Sequence, residues 1–301
     1  MALDWEGPND PEDPTNWPLL QRVNVIVGAS LLGFSITAAS SIISPGVFDI
    51  QSDFGVSRTA AMVPLSVYVL GLALGPALGA PISETQGRSV VYKLSGLLCM
   101  LFSLGAGFSE TFAGLVVCRL FAGLFGGPVL AIAAGTVADL VPAHKRAVSA
   151  AGFVMGPFLG PCFGPVVGGF AAQYKGWEWT QWCAIFLILP GFLMCTIAGE
   201  TYKKIILKTR AKRLNIAGPP APPVQGAAAL KMLFTITLAR PTRMLFTEPI
   251  VIAFALYNGF TFAVLFCMFA AFPVSPLHVN CLNDADIPSV RIPRRIWFRD
   301  I

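Results

Sequence analysis

Long runs of uncharged, mostly apolar residues alternate along the chain with short polar segments. A helix rises 1.5 Å per residue, so about 20 apolar residues cross the ~30 Å hydrocarbon core of a bilayer. Five runs reach this length without a charge: residues 23–47, 59–83, 147–174, 179–199 and 249–273. Residues 94–109, extended by snorkelling of Lys93, and residues 111–138, interrupted only by Arg119, add two more. The pattern predicts an all-α polytopic membrane protein with seven spans.

Composition and charge fit a membrane protein. Apolar residues make up 55% of the 301 positions and charged residues only 12%, whereas soluble domains carry about 25% charged residues. Short loops rich in Lys and Arg stay in the cytoplasm. A cytoplasmic amino terminus places fourteen basic loop residues between Arg22 and Arg243 inside and leaves only Arg58 and Lys175 outside. The net charge of +5 therefore reflects topology, and no nucleic-acid partner is predicted.

The polar segments divide the chain into five parts. Residues 1–21 are acidic and lack Lys and Arg, which excludes a cleavable signal peptide and predicts a disordered cytoplasmic tail. Residues 22–199 hold six spans and form one bundle. Residues 200–247, basic and then proline-rich, are predicted to be a cytoplasmic linker to the seventh span, residues 248–273.

Residues 274–301 form an atypical tail. It carries Arg291, Arg294, Arg295 and Arg299, yet an odd number of spans would place these arginines outside the cell. We interpret the tail as the product of altered splicing or a frameshift that truncates a longer protein. A tail that folds back, or a seventh segment that does not insert, are the alternatives.

Residues 152–169, GFVMGPFLGPCFGPVVGG, are the most distinctive segment. Three internal prolines would cost a soluble helix roughly 3 kcal/mol each. In a bilayer the helix is retained, because neighbouring helices, hydroxyls and waters satisfy the freed backbone groups. Glycines four residues apart form one ridge that lets another helix approach closely. We predict a kinked fifth span with a bare packing face.

Catalytic and metal-binding patterns are missing from the sequence. The seven cysteines are scattered without a CxxC pair, and His144 and His278 lie in different loops. No phosphate-binding loop, dinucleotide fingerprint or glycosylation signal occurs. We therefore predict no metal, no cofactor and no enzymatic activity.

Five segments together resemble the major facilitator superfamily, specifically the fungal drug/proton antiporters with twelve spans. They are the acidic opening at residues 4–18, the loop at residues 80–89, Arg119 with Gly123 and Gly127, the glycine-proline segment, and EPIV at residues 248–251. The resemblance implies one six-helix bundle plus the first helix of a second. The loop departs from the family pattern at Ala80 and Ser89, and these departures would weaken a charge network there.

The resemblance also implies roles for particular residues. Arg119 would take part in proton coupling; the sequence alone equally allows anion binding, pairing with a helix terminus, or snorkelling toward the outer surface. A conformational latch is predicted from Glu84, Gly87, Arg88, Asp139 and Arg146. An antiporter-type hinge is predicted from Gly156, Pro157, Gly160, Pro161, Gly164, Pro165, Gly168 and Gly169. Weaker substrate-contact candidates are Asn24, Tyr68, Phe121, Tyr257 and Asn258.

These features predict a secondary transporter of the plasma membrane. It would export small amphipathic organic molecules in exchange for protons by alternating access, with the bilayer, the substrate, protons and a second copy of the chain as partners. The main alternative is a truncated, non-transporting membrane protein. A membrane-embedded enzyme lacks clustered catalytic residues, and a seven-helix receptor would require the opposite orientation.

Overall fold

The computed structural model describes residues 5, 7, 10–142, 144, 146–214 and 240–271, and the regular structure in this part of the chain is entirely helical. Its α-helices are α1 (Leu19–Ser41), α2 (Val47–Phe54), α3 (Arg58–Ala61), α4 (Val63–Gln86), α5 (Arg88–Gly107), α6 (Phe112–Leu140), α7 (Arg146–Lys175), α8 (Glu178–Ile197), α9 (Lys203–Arg213), α10 (Arg240–Thr247) and α11 (Pro249–Ala271). The tail at residues 274–301 and the proline-rich part of the linker lie outside the described residues.

In the part of the chain that the structure describes, seven helical segments are long and apolar enough to cross a membrane. The first joins α1 and α2 through the 3₁₀ turn Ser44–Gly46, and the second joins α3 and α4. The others are α5, α6, α7, α8 and the Pro249–Met268 part of α11. The prediction of an all-α polytopic membrane protein is confirmed.

The chain divides into two compact units, Met1–Ile252 and Ala253–Ile301. The first contains the six-helix bundle, in which α4 packs mainly on α6 and α1 mainly on α7. Leu32 and Ile36 of α1 are fully buried, so α1 runs through the core. Large apolar residues on the bundle's outer faces are exposed, as lipid-facing surfaces require.

Helix α7 is continuous despite its three internal prolines. Proline has no amide hydrogen, so Pro165 leaves the carbonyl of Pro161, four residues earlier, without its helical donor. The Ser41 hydroxyl of α1 donates to that carbonyl at 3.0 Å. A neighbouring helix thus supplies the missing hydrogen bond inside the membrane-spanning region.

The acidic segment before α1 differs from the predicted disordered tail. The Asp10 side chain is buried and forms an ion pair with Arg210 of α9, with Oδ2 and Nη1 2.7 Å apart. Glu12 pairs with Arg210 at 3.5 Å and with Arg213. The prediction was wrong for residues 10–17 because composition does not reveal a partner about 200 residues away.

Candidate functional site

Arg119 lies in the interior of α6 and is 1% exposed. Its Nη1 donates to the backbone oxygen of Ala39 at 2.8 Å. Ala39 belongs to the last turn of α1, where carbonyls lack helical partners and the helix dipole favours a cation. In this conformation the guanidinium is therefore directed at a helix terminus inside the bundle, one of the arrangements that the sequence left open.

Tyr68 of α4 completes the surroundings of Arg119. Its ring centroid is 5.5 Å from the guanidinium carbon, within cation–π range. The Tyr68 hydroxyl donates to the Ile36 carbonyl at 2.9 Å, so the residue is fully used in packing α4 against α1. Arg119 is not fully used: its Nε and Nη2 have no hydrogen-bond partner among the described residues. These two groups can donate hydrogen bonds to an anion, a carboxylate or water.

The second group of charged residues lies where α4 meets α5. Arg88 Nε forms an ion pair with Asp139 Oδ2 of α6 at 2.6 Å, and Arg88 Nη1 donates to the Ile132 carbonyl at 3.0 Å. The Tyr202 ring lies 5.5 Å from the Arg88 guanidinium carbon. Arg88 therefore ties the start of α5 to the last three turns of α6.

Glu200 is a residue of this group that the sequence reasoning missed. Its Oε1 accepts from the backbone amides of Arg88 at 2.9 Å, Thr201 at 3.0 Å and Tyr202 at 3.0 Å, and its Oε2 accepts from that of Ser89 at 3.1 Å. The first amides of a helix need acceptors, and a carboxylate there also interacts favourably with the dipole. Gly87, the N-cap of α5, has no side chain to serve this purpose, and that gap in the sequence was the available signal.

Gly87 has φ 102° and ψ 163°, a conformation that only glycine adopts readily. A Cβ atom at this position would also overlap the Glu200 carboxylate. Glu84 is exposed and makes no ion pair or hydrogen bond with the described residues. Arg146 Nη2 donates to the Ala138 carbonyl at 2.9 Å, at the carboxyl end of α6. The structure thus brings Gly87, Arg88 and Asp139 together, places Arg146 on the neighbouring turn, and leaves Glu84 apart.

The glycine-proline ridge of α7 faces α1. A Cβ atom would lie 2.8 Å from the Ser30 oxygen at Gly156, 2.8 Å from the Ala38 nitrogen at Gly160, and 2.6 Å from the Ala38 oxygen at Gly164. At Gly168 it would lie 2.9 Å from the Ile42 carbonyl carbon. Pro157 packs at the position of Gly33. Gly169 lies outside this seam, since its nearest neighbour would be 4.0 Å away.

Comparison with known proteins gives the family. Residues 29–284 match the model of the Major Facilitator Superfamily. The chain belongs to this superfamily. It is 39% identical to Polyamine transporter 4 of Saccharomyces cerevisiae, over 98% of this chain and 45% of that protein. It is 34% identical to Efflux pump radE of Floropilus chiversii (90% and 51%) and 36% identical to MFS-type transporter traF of Penicillium crustosum (91% and 56%).

This superfamily member spans about half the length of the curated relatives it matches. A crystal structure of a D-xylose-proton symporter superposes with a TM-score of 0.53 at 19% identity, over 64% of this chain and 52% of that one. A peptide transporter in complex with sulfate gives 0.53 at 17%, over 89% and 54%. At these identities the structures establish the fold alone.

The remaining substrate-contact candidates of this superfamily member are divided between the two compact units. Asn24 is half-buried on α1. The Phe121 ring stacks with the rings of Phe102 and Phe125, at centroid distances of 5.2 Å and 6.3 Å. Tyr257 and Asn258 belong to the second unit, where Asn258 Nδ2 donates to the Phe254 carbonyl one turn earlier. Within the described ranges no group of three or more His, Cys, Asp or Glu residues could hold a metal ion.

Proposed function

We propose that the protein containing this bundle exports small amphipathic organic molecules in exchange for protons, by alternating access. The observation that carries the proposal is Arg119, a fully buried cation with one donor on the end of α1 and two donors unused. A buried charge is costly, and in membrane proteins such residues lie on substrate or proton pathways.

The geometry suggests how Arg119 would act. Its bond to Ala39 holds α6 against the end of α1. A substrate acceptor group or a deprotonated carboxylate from elsewhere in the protein would compete with that carbonyl for the guanidinium. If the guanidinium exchanges between the Ala39 carbonyl and this competing partner, binding of substrate or loss of a proton would change the packing of α1 on α6.

The Arg88, Asp139 and Glu200 contacts serve, in this proposal, as the latch of one conformational state. They join the ends of α4, α5, α6 and α8. Movement between the halves of a transporter would have to break the partly buried ion pair between Arg88 and Asp139.

A polyamine is the second candidate for the transported compound, because one relative at 39% identity is named a polyamine transporter. Polyamines carry several positive charges and need carboxylate partners. The described spans carry acidic residues only near their ends, at Asp49, Asp53, Glu84, Asp139 and Glu178. We therefore favour an amphipathic organic molecule, and competition between spermidine and a lipophilic dye for efflux would separate the two candidates.

Substitution of Arg119 tests the coupling role. We expect Arg119→Ala to abolish proton-driven efflux of a lipophilic dye from proteoliposomes while the protein still inserts. Arg58→Ala is the matched control, because Arg58 is exposed at the start of α3. Unchanged efflux in the Arg119 variant would refute the coupling role. If vesicles with the unsubstituted protein retain the dye whether or not a proton gradient is applied, the result would favour a non-transporting membrane protein.

Paired acidic substitutions test the latch. Asp139→Asn removes the charge partner of Arg88, so we expect faster hydrogen exchange at the start of α5 and an altered efflux rate. Glu84→Gln, in the last turn of α4, removes an exposed carboxylate without a described partner and should change neither. Equal effects of the two variants would show that the ion pair holds nothing in place.

A further inference from the structure

We propose that the lysine row of α9, defined as Lys204, Lys208 and Lys212, is a binding surface for the headgroups of anionic phospholipids. Only five residues separate α9 from the end of the span α8 at Ile197. The helix is therefore confined to the vicinity of the membrane surface.

The orientation of α9 is fixed by its packing. Leu207 and Ala211, four residues apart, are 6% and 1% exposed. Because each residue turns a helix by about 100°, the lysine row lies along one flank of this buried face. Arg210 and Arg213 lie along the other flank.

In the described part of the chain, acidic side chains pair with the arginine flank. Asp10 and Glu12 pair with Arg210, and Glu12 also pairs with Arg213. The three lysines of the row are exposed, and no hydrogen bond or ion pair joins them to another described residue. The acidic segment therefore leaves one row of positive charge open.

The spacing of the row calls for an external anion. Lysines four residues apart stand about 6 Å from each other along the helix, and like charges at this spacing destabilise a helix. An array of anionic headgroups at the membrane surface supplies negative charge where a row beside a span would meet it. Charge complementarity and position together favour lipid over a soluble partner.

Titration with soluble lipids tests the proposal. The purified chain in an uncharged detergent is titrated with dioctanoyl phosphatidylserine, dioctanoyl phosphatidylcholine and inorganic phosphate. We expect saturable binding of the phosphatidylserine alone, weakened about tenfold or more in the K204Q/K208Q variant. The matched control R58Q/K175Q also removes two exposed positive charges and should bind as the unsubstituted chain does.

The proposal is overturned if phosphatidylserine does not bind, if phosphatidylcholine or phosphate binds equally well, if K204Q/K208Q binds unchanged, or if the control loses as much affinity. Elution volume in size-exclusion chromatography checks folding. Should the double variant aggregate, Lys208→Gln alone, an exposed change at the centre of the row, is expected to weaken binding about fivefold.

Discussion

Glu200 shows how one side chain organises the end of a membrane bundle. Its carboxylate accepts four backbone amides, two at the start of α5 and two in the segment that leads to α9. Charge-assisted hydrogen bonds of this kind are roughly twice as strong as neutral ones. The carboxylate reaches α5 only because Gly87 leaves room for it.

Replacement of Gly87 tests this arrangement. We expect Gly87→Ala to lower the free energy of unfolding by about 3 kcal/mol or more, since it adds backbone strain of about 1–3 kcal/mol and displaces Glu200. Gly55→Ala is the control. Gly55 has φ 61°, but nothing lies within 4 Å of an added Cβ, so we expect the free energy of unfolding to fall by only about 1–2 kcal/mol, from backbone strain alone. Denaturant unfolding in detergent measures both, and equal losses would exclude the Glu200 overlap.

Arg119 marks how far the sequence could predict the site. A single charge within an apolar run is visible in the sequence, so its need for a partner inside the bundle was predictable. Its partner was not, because the acceptor is a backbone carbonyl 80 residues away and any residue type supplies one. The same reasoning explains Glu200, whose four partners are backbone amides.

At the scale of elements, the packing of α7 on α1 also shows what the sequence could and could not predict. Glycines at positions 156, 160, 164 and 168 bring the backbones of the two helices into contact. The four-residue spacing predicted a packing ridge, and helix geometry makes such spacing readable without a structure. The partner helix could not be predicted, because an apolar helix surface can pack against any other apolar helix.

Two glycines of α7 provide a matched pair of substitutions. Gly164→Ala would place a Cβ 2.6 Å from the Ala38 oxygen, so we expect a loss of about 1–3 kcal/mol from overpacking and a slower transport cycle. Gly169→Ala meets nothing closer than 4.0 Å and should be neutral or gain up to about 1 kcal/mol from helix propensity. Unfolding in mixed micelles measures both, and identical results would contradict a close α1–α7 seam.

At the scale of the whole molecule, hydrophobic runs were sufficient to predict seven spans and an all-helical fold. The physical reason is that lipid forces backbone hydrogen bonds to close within each segment. The ion pairs of Asp10 and Glu12 with α9 were missed because ion pairs between distant charged segments leave no periodic signal. Orientation in the membrane stays a prediction that rests on the distribution of basic residues.

Single cysteines test the orientation. In a background without native cysteines, Thr59→Cys at the start of α3 and Thr209→Cys on α9 are both exposed. We expect an impermeant maleimide added to intact cells to label position 59 and to reach position 209 only after permeabilisation. The reverse pattern would invert the assigned topology and place the acidic segment outside.

The hydrogen bond from Ser41 to the Pro161 carbonyl constrains the order in which the two helices can evolve. If Pro165 mutates first, the new residue restores the amide, and position 41 becomes free to change. If Ser41 mutates first, the Pro161 carbonyl is left without a hydrogen bond in a setting without water, which destabilises the protein until Pro165 also changes. Descendants that lose both residues are therefore expected to have lost the proline before the serine.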